Sequence, residues 1–120
     1  DDVVQLVDLA PTIAAAMGAA PSTKWVGRSL VPALTGGALP PAPAFAELLP
    51  APDWNHDAKA MISADGKYKV FYRISDSRWE IYDLVTDPAE TKNLADNEAL
   101  AAPLKQQLVQ WLEGPLGNAP

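Results

Sequence analysis

His56 is the only histidine in the sequence, so no Ser-His-Asp triad and no two-histidine metal site can be assembled without it. It stands in Trp54-Asn55-His56-Asp57, a proline-flanked stretch placed just ahead of a strand-like run. A loop histidine beside an aspartate suits a substrate contact or an acid/base group; the plainer reading is a solvated loop histidine. Trp54, Asn55 and His56 are the substrate-contact candidates of this chain. Asp1-Asp2 has the look of a carboxylate pair, but nothing positions it as a metal site and it reads as a frayed end. Asp83, Asp87, Glu90 and Asp96 form an acidic strip with Asn93. It has neither the alternating ligand spacing nor the glycine of a calcium loop, so a turn at Asp87-Pro88 and a helix cap at Asn93 or Asp96 explain it better. No P-loop, Gly-x-Gly-x-x-Gly or Gly-x-Ser-x-Gly pattern occurs. Of the tryptophans, Trp79 and Trp111 have the phasing of core residues, whereas Trp25 and Trp54 lie in loops. Residue chemistry alone assembles no complete catalytic site.

The chain that must position these groups has 120 residues, 48% hydrophobic and 20% charged, with a formal net charge of −6. That length fits one modest domain or a piece of a larger one. With no basic start, no apolar leader and no initiator methionine, the expectation is an internal segment of something longer. Prolines or charges interrupt every apolar run before the ~18 residues a membrane span needs. Zero cysteine excludes disulfides, thiolate zinc sites and cysteine nucleophiles within the chain, without fixing its compartment. Fifteen acids against nine scattered bases argue against a nucleic-acid partner.

Twelve prolines and seven glycines call for short elements and many turns. A helix over 9–17 is expected, with Asp8 as N-cap, Pro11 in the first turn, Gly18 after its end, and Leu9, Ile13 and Met17 as a narrow apolar stripe. A short helix over 29–35 follows, stopped by Gly36-Gly37. Residues 38–57 read as a Pro/Ala-rich surface connection with a brief strand at Phe45 to Leu48. Beyond residue 58 the period changes to two. Ala58 to Ser63 and Lys67 to Arg73 flank an Asp65-Gly66 hairpin turn, and Arg78 to Leu84 supplies the next strand. Leu100, Leu104, Leu108, Trp111 and Leu112 then share one helical face; Pro103 marks either the helix start or a preceding turn. Gly114-Pro115 stops the helix. The fold class is α+β: a small antiparallel sheet of three to four strands packed by a C-terminal helix, preceded by a helical segment.

Two stretches resemble the sulfatases of the alkaline phosphatase superfamily. Leu6-Val7-Asp8-Leu9-Ala10-Pro11-Thr12-Ile13, followed by Gly27-Arg28-Ser29-Leu30, is similar to that family's "V-D-L-x-P-T-hydrophobic" helix leading into "G-x-S-L". Glu80 to Leu94 is similar to its C-terminal signature "E-L-Y-D-L-x-x-D-P-x-E-x-x-N-L", with Ile81 for Leu. Phe45-Ala46-Glu47 and the Gly66-Lys67-Tyr68-Lys69-Val70 strand fit as well, in the family's order. The resemblance gives Tyr82, Asp83, Leu84, Asp87, Pro88, Glu90, Asn93 and Leu94 a structural role.

The resemblance implies that the first 37 residues complete a large α/β sulfatase domain, that 38–57 connect, and that 58–120 form the C-terminal subdomain. It implies a parent enzyme that hydrolyses sulfate esters: a hydrated formylglycine aldehyde attacks sulfur, calcium and basic groups stabilise the charge, and the alcohol leaves. The C-terminal subdomain of such an enzyme rims the pocket and helps choose the leaving group. None of Ser22, Ser29, Ser63, Ser75 and Ser77 begins the Cys/Ser-x-Pro/Ala-x-Arg motif that yields formylglycine, and no calcium-ligand motif of the family matches. The chain by itself is therefore expected to be inactive, with no cofactor of its own and no catalytic or metal residue. Its expected partners are the upstream catalytic domain and a small sulfated substrate of the parent, whose expected location is periplasmic or secreted. Two other readings stay open: the same segment of a phosphodiesterase or phosphonate monoester hydrolase of the superfamily, and a stand-alone interaction module.

Overall fold

The computed structural model describes residues 2–53 and 57–114. Its centre is an antiparallel meander. β1 (Ala44–Leu48), β2 (Ala58–Ile62), β3 (Tyr68–Arg73) and β4 (Arg78–Asp83) pair in the order β1-β2-β3-β4. The brief strand inside the Pro/Ala-rich connection is thus the fourth strand of the sheet. The period-two pattern fixes the register. Phe45 stands opposite Met61, Met61 opposite Val70, and Val70 opposite Ile81, which puts one apolar row across all four strands. Side chains alternate across a pleated sheet, so Tyr68 and Tyr72 join Val70 on this face. The hairpin between β2 and β3 turns at Asp65-Gly66, where Gly66 takes a positive φ of 70°. That left-handed geometry comes to glycine without a Cβ penalty. Ser63 closes the turn, its hydroxyl bonding Asp65 at 2.5 Å and accepting the Tyr68 N–H at 2.8 Å.

The long helix α3 (Glu98–Glu113) lies on the apolar face of the sheet. Ala101, Leu104 and Leu108 point inward and form one buried cluster with Met61, Val70, Ile81 and Ala95. Phe45 and Trp111 close it at the β1 side, their rings parallel and 4.5 Å apart. Trp79 packs at the other end and stacks on Tyr72 at 4.3 Å. Trp79 and Trp111 pack half-buried against the core, on the face their phasing indicates. The helix starts five residues before Pro103 and carries that proline in its interior. A mid-helix proline removes the bond to the carbonyl four residues earlier, here Ala99, and both residues lie on the exposed side. Burial of Ala101 and Leu104 on either flank of Pro103 outweighs the local break. Neither Asn93 nor Asp96 caps this helix: Asn97 occupies the N-cap position.

The N-terminal segment runs as a 3-10 turn (Leu6–Asp8) directly into α1 (Leu9–Ala16), and α2 is the single turn Val31–Leu34, shorter than the 29–35 expected. Gly18 follows α1 with a φ of 71°, as an αL residue after a helix should. The expected stripe on this helix is uncovered. Leu9, Ile13 and Met17 are 52%, 59% and 79% exposed, and Leu6 beside them is 84% exposed. No helix among the described residues is long and apolar enough to cross a membrane.

The buried seam between α3 and the sheet sets the stability of the fold. Leu108→Ala is expected to cost about 2–5 kcal/mol by cavity formation, whereas Val85→Ala, at an exposed turn position, should stay within about 0.5 kcal/mol. Urea unfolding of the two variants checks the contrast.

Candidate functional site

The first of the two motif regions is a polar clamp around Asp8. Asp8 stands at the N-cap position of α1, but its side chain makes no capping bond there. Instead the carboxylate, only 3% exposed, accepts the Gln5 N–H and, from a loop twenty residues onward, the Arg28 N–H, each at 2.9 Å. Charge-assisted bonds to backbone N–H groups are among the stronger hydrogen bonds, and here one carboxylate ties two distant loops together. Thr12 repeats the device one helical turn later. Its hydroxyl donates to the Asp8 carbonyl at 2.6 Å and accepts the Leu30 N–H at 2.8 Å. The approach is so close at Gly27 that an added Cβ would sit 2.0 Å from the Val7 carbonyl oxygen. Asp8, Thr12 and Gly27 thus explain why the two halves of the first motif occur together. Arg28 completes the clamp by donating to the Val3 and Pro40 carbonyls. Gln5 joins it to the sheet: its amide accepts the Phe45 N–H at 2.8 Å and donates to the Pro43 carbonyl at 3.4 Å. Between this segment and the sheet edge lies an open cleft of about 440 Å³, lined by Gln5, Val7, Val26, Ala42, Pro43, Phe45 and Trp111.

The second motif region is the connection from β4 to α3, and its polar atoms are spent on backbone. Asp83 accepts the Val85 and Thr86 N–H groups at 3.0 and 3.1 Å. Asp87 accepts the Lys92 N–H at 2.8 Å and the Thr91 hydroxyl at 3.0 Å. Glu90, held at a φ of +55°, pairs with Lys69 at 2.6 Å. Asn93 takes the place that a fifth strand would occupy. Its carbonyl oxygen accepts both the Ile81 and Ala95 N–H groups at 2.9 Å, and its amide donates to the Trp79 carbonyl at 3.2 Å. Leu94 N–H then bonds the Ile81 carbonyl at 2.8 Å, and the Leu94 side chain packs on the core. Tyr82 bonds Glu80 at 2.9 Å; burial first, and then that carboxylate, push its phenol pKa up. Leu84 N–H bonds the Lys67 carbonyl, and Pro88 sits exposed in the turn.

Trp54, Asn55 and His56, together with Asp1, lie outside the described residues. The next residue, Asp57, is anchored twice. Its carbonyl accepts the Ile74 N–H at 2.9 Å, and its carboxylate meets Lys59 at 2.9 Å. Lys59 also pairs with Glu47 across the strands at 3.1 Å, and the lysine is only 8% exposed. Burial alone would lower its pKa, but the two carboxylates outweigh burial and hold it raised. Lys59 was not among the sequence candidates; its position two residues before Met61, on the core side of β2, is the signal that could have found it. Among the described residues no group of three or more acidic, histidine or cysteine side chains is gathered as a metal site.

Two outcomes test these assignments. Asn93→Ala should cost about 1–3 kcal/mol, because it leaves the buried Ile81 N–H without its partner; thermal unfolding reads the loss. Asp87 has its carboxylate pKa lowered by the Lys92 and Thr91 backbone N–H groups, and Asp65 by the Ser63 hydroxyl and then the Lys67 N–H. A folded pKa below the unfolded value stabilises above the ordinary aspartate range and is lost as pH falls through it. Stability should therefore decline below about pH 4, and Asp87→Asn should flatten that decline in an acid titration.

The arrangement has relatives. The family profile for the C-terminal part of N-sulphoglucosamine sulphohydrolase matches residues 1–114. Among solved structures, a Bacteroides thetaiotaomicron VPI-5482 protein assigned as a sulfatase superposes with a TM-score of 0.77 at 24% identity, covering 88% of this chain and 24% of its own. BT1596, a 2-O GAG sulfatase, gives the same TM-score, identity and coverage. BT4656, solved with its substrate D-glucosamine-2-N,6-O-disulfate, gives 0.69 at 26% identity, covering 88% of this chain and 22% of its own. No curated protein sequence matches. The chain spans about a quarter of the length of the solved structures it matches. It belongs to the N-sulphoglucosamine sulphohydrolase C-terminal family, and its four-stranded sheet with closing helix is the C-terminal domain of sulfatase-like proteins.

Proposed function

We propose that this chain is the structural, pocket-rimming C-terminal segment of a sulfuric ester hydrolase whose nucleophile and metal ligands lie elsewhere in the larger protein. One observation carries the reading: the N-terminal helix, clamped in place by Asp8, presents Leu6, Leu9, Ile13 and Met17 outward as an uncovered apolar face. An exposed patch of this kind marks an interaction surface. Dimensions support it too. The radius of gyration is 16.1 Å, against about 13.6 Å for a compact domain of this length.

In this reading residues 1–37 complete the large α/β domain, and the small subdomain begins inside 38–57, where β1 joins the sheet. Calcium and formylglycine belong to the larger protein, as the likeness of the motifs to those of the sulfatases implies. The residues of this chain that touch substrate are Trp54, Asn55 and His56; the next residue, Asp57, is held by Lys59. The substrate class is a sulfated sugar, by likeness to the solved relatives that bear such substrates in their descriptions.

The test uses the full-length protein. With calcium present it should hydrolyse an aryl sulfate and glucosamine sulfates in preference to phosphodiesters, and His56→Ala should change the ratio of kcat/KM between sulfated sugars on the order of tenfold with little change in Tm. Phosphodiester hydrolysis alone would contradict the sulfatase reading. Unchanged ratios would remove His56 from substrate contact.

A further inference from the structure

The cleft at the edge of β1 has walls unlike those of a sulfate site. The stacked Phe45 and Trp111 rings line it together with Val7, Val26, Ala42 and Pro43. Among the described residues no charged side chain lines it. Gln5, its one amide, is already committed to the Phe45 N–H and the Pro43 carbonyl. A sulfated or otherwise anionic ligand would therefore lose its water there and gain no cation, a large cost. An apolar group, by contrast, would bury area against two aromatic rings and two valines, which is the composition of an anchor pocket in a protein interface. At about 440 Å³ the cleft falls within the range of sites that take a bulky group.

Position tells which apolar group. Val7 and Val26 line the cleft and are themselves 47% and 57% exposed, so these two walls are open to solvent, as are Leu6 and Leu9 close to Val7 in the chain. The solved relatives carry this fold as about a quarter of much longer chains. We infer that the cleft between the Asp8-clamped segment and the Phe45–Trp111 pair is the receptor for a bulky apolar side chain, aromatic or aliphatic, supplied by the remainder of the same, larger polypeptide. The inference rests on the proposed function for the existence of that remainder, and adds where it is gripped and by what chemistry. The clamp makes the grip possible. Gln5 and Asp8 fix Val7 on one side and Arg28 fixes the neighbouring Val26 loop on the other, so the walls stand ready before anything enters.

The experiment places the photoreactive residue p-benzoylphenylalanine at Val26 of the full-length protein, with Val85 in the turn after β4 as the control position, and maps cross-links by mass spectrometry. The expected result is an intramolecular cross-link from position 26 to an apolar residue outside residues 1–120, at monomer mass, with none from position 85. Cross-linking only to a second copy, or to nothing outside the chain, overturns the inference. A second variant guards against a probe that disturbs folding. Ala42→Leu narrows the cleft, and should lower the Tm of the full-length protein by displacing the guest. An unchanged or raised Tm means an empty cleft and also overturns it. A protein that forms the cross-link yet hydrolyses no sulfate ester supports the anchor pocket and contradicts only the reading of the activity.

Discussion

One buried carboxylate holds the N-terminal third of this chain in place. Asp8 bonds the Gln5 and Arg28 backbone N–H groups, and with both of its oxygens engaged it fixes how α1 enters, where the Gly27 loop lies and how Val7 faces Val26. Gln5 passes that order on to the sheet through Phe45. Gln5 makes the bond that reaches the sheet, and the stripe of Leu6, Leu9, Ile13 and Met17 points outward instead of into the common core. The arrangement has an unusual balance: polar groups hold the segment from within, and apolar groups cover its outside.

The β4–α3 connection solves a different problem with similar means. A sheet edge leaves a row of unpaired backbone groups, and β4 is such an edge. Asn93 and Leu94 pair with Ile81 and close it, while Asp83 and Asp87 absorb the N–H groups of the intervening turns. The motif is therefore a folding device. Its side chains set the distance and angle at which α3 reaches the sheet, and α3 in turn places Trp111 against Phe45 at the cleft.

How much of this was legible in the sequence depended on how local the cause was. The strands and the Asp65-Gly66 turn follow from alternation and turn chemistry within a few residues, and they stand as read. The start of α3 did not, because Pro103 is a strong local stop signal and the burial of Ala101 that overrides it is a tertiary effect. Asp8 reads as a helix cap from its neighbours alone; its true partner, Arg28, is brought to it by folding. Leu9, Ile13 and Met17 announced an apolar stripe correctly, but spacing cannot say whether a stripe is covered from within the chain. Lys59 was passed over for the opposite reason: its place on the core side of a strand was readable, but a charge there makes sense only once Glu47 and Asp57 are seen around it. Trp54, Asn55 and His56 were singled out on residue type alone.

If the outer face of α1 is an interface inside a larger protein, the two methionines of the chain report it directly. Met61 is buried in the core at 1% exposure, whereas Met17 is 79% exposed on that face. Oxidation by hydrogen peroxide converts accessible methionine to the sulfoxide, and peptide mass spectrometry follows each residue separately. In the full-length folded protein Met17 should be protected to nearly the same degree as Met61. Oxidation of Met17 at the rate of a free methionine, with Met61 still protected, would contradict it.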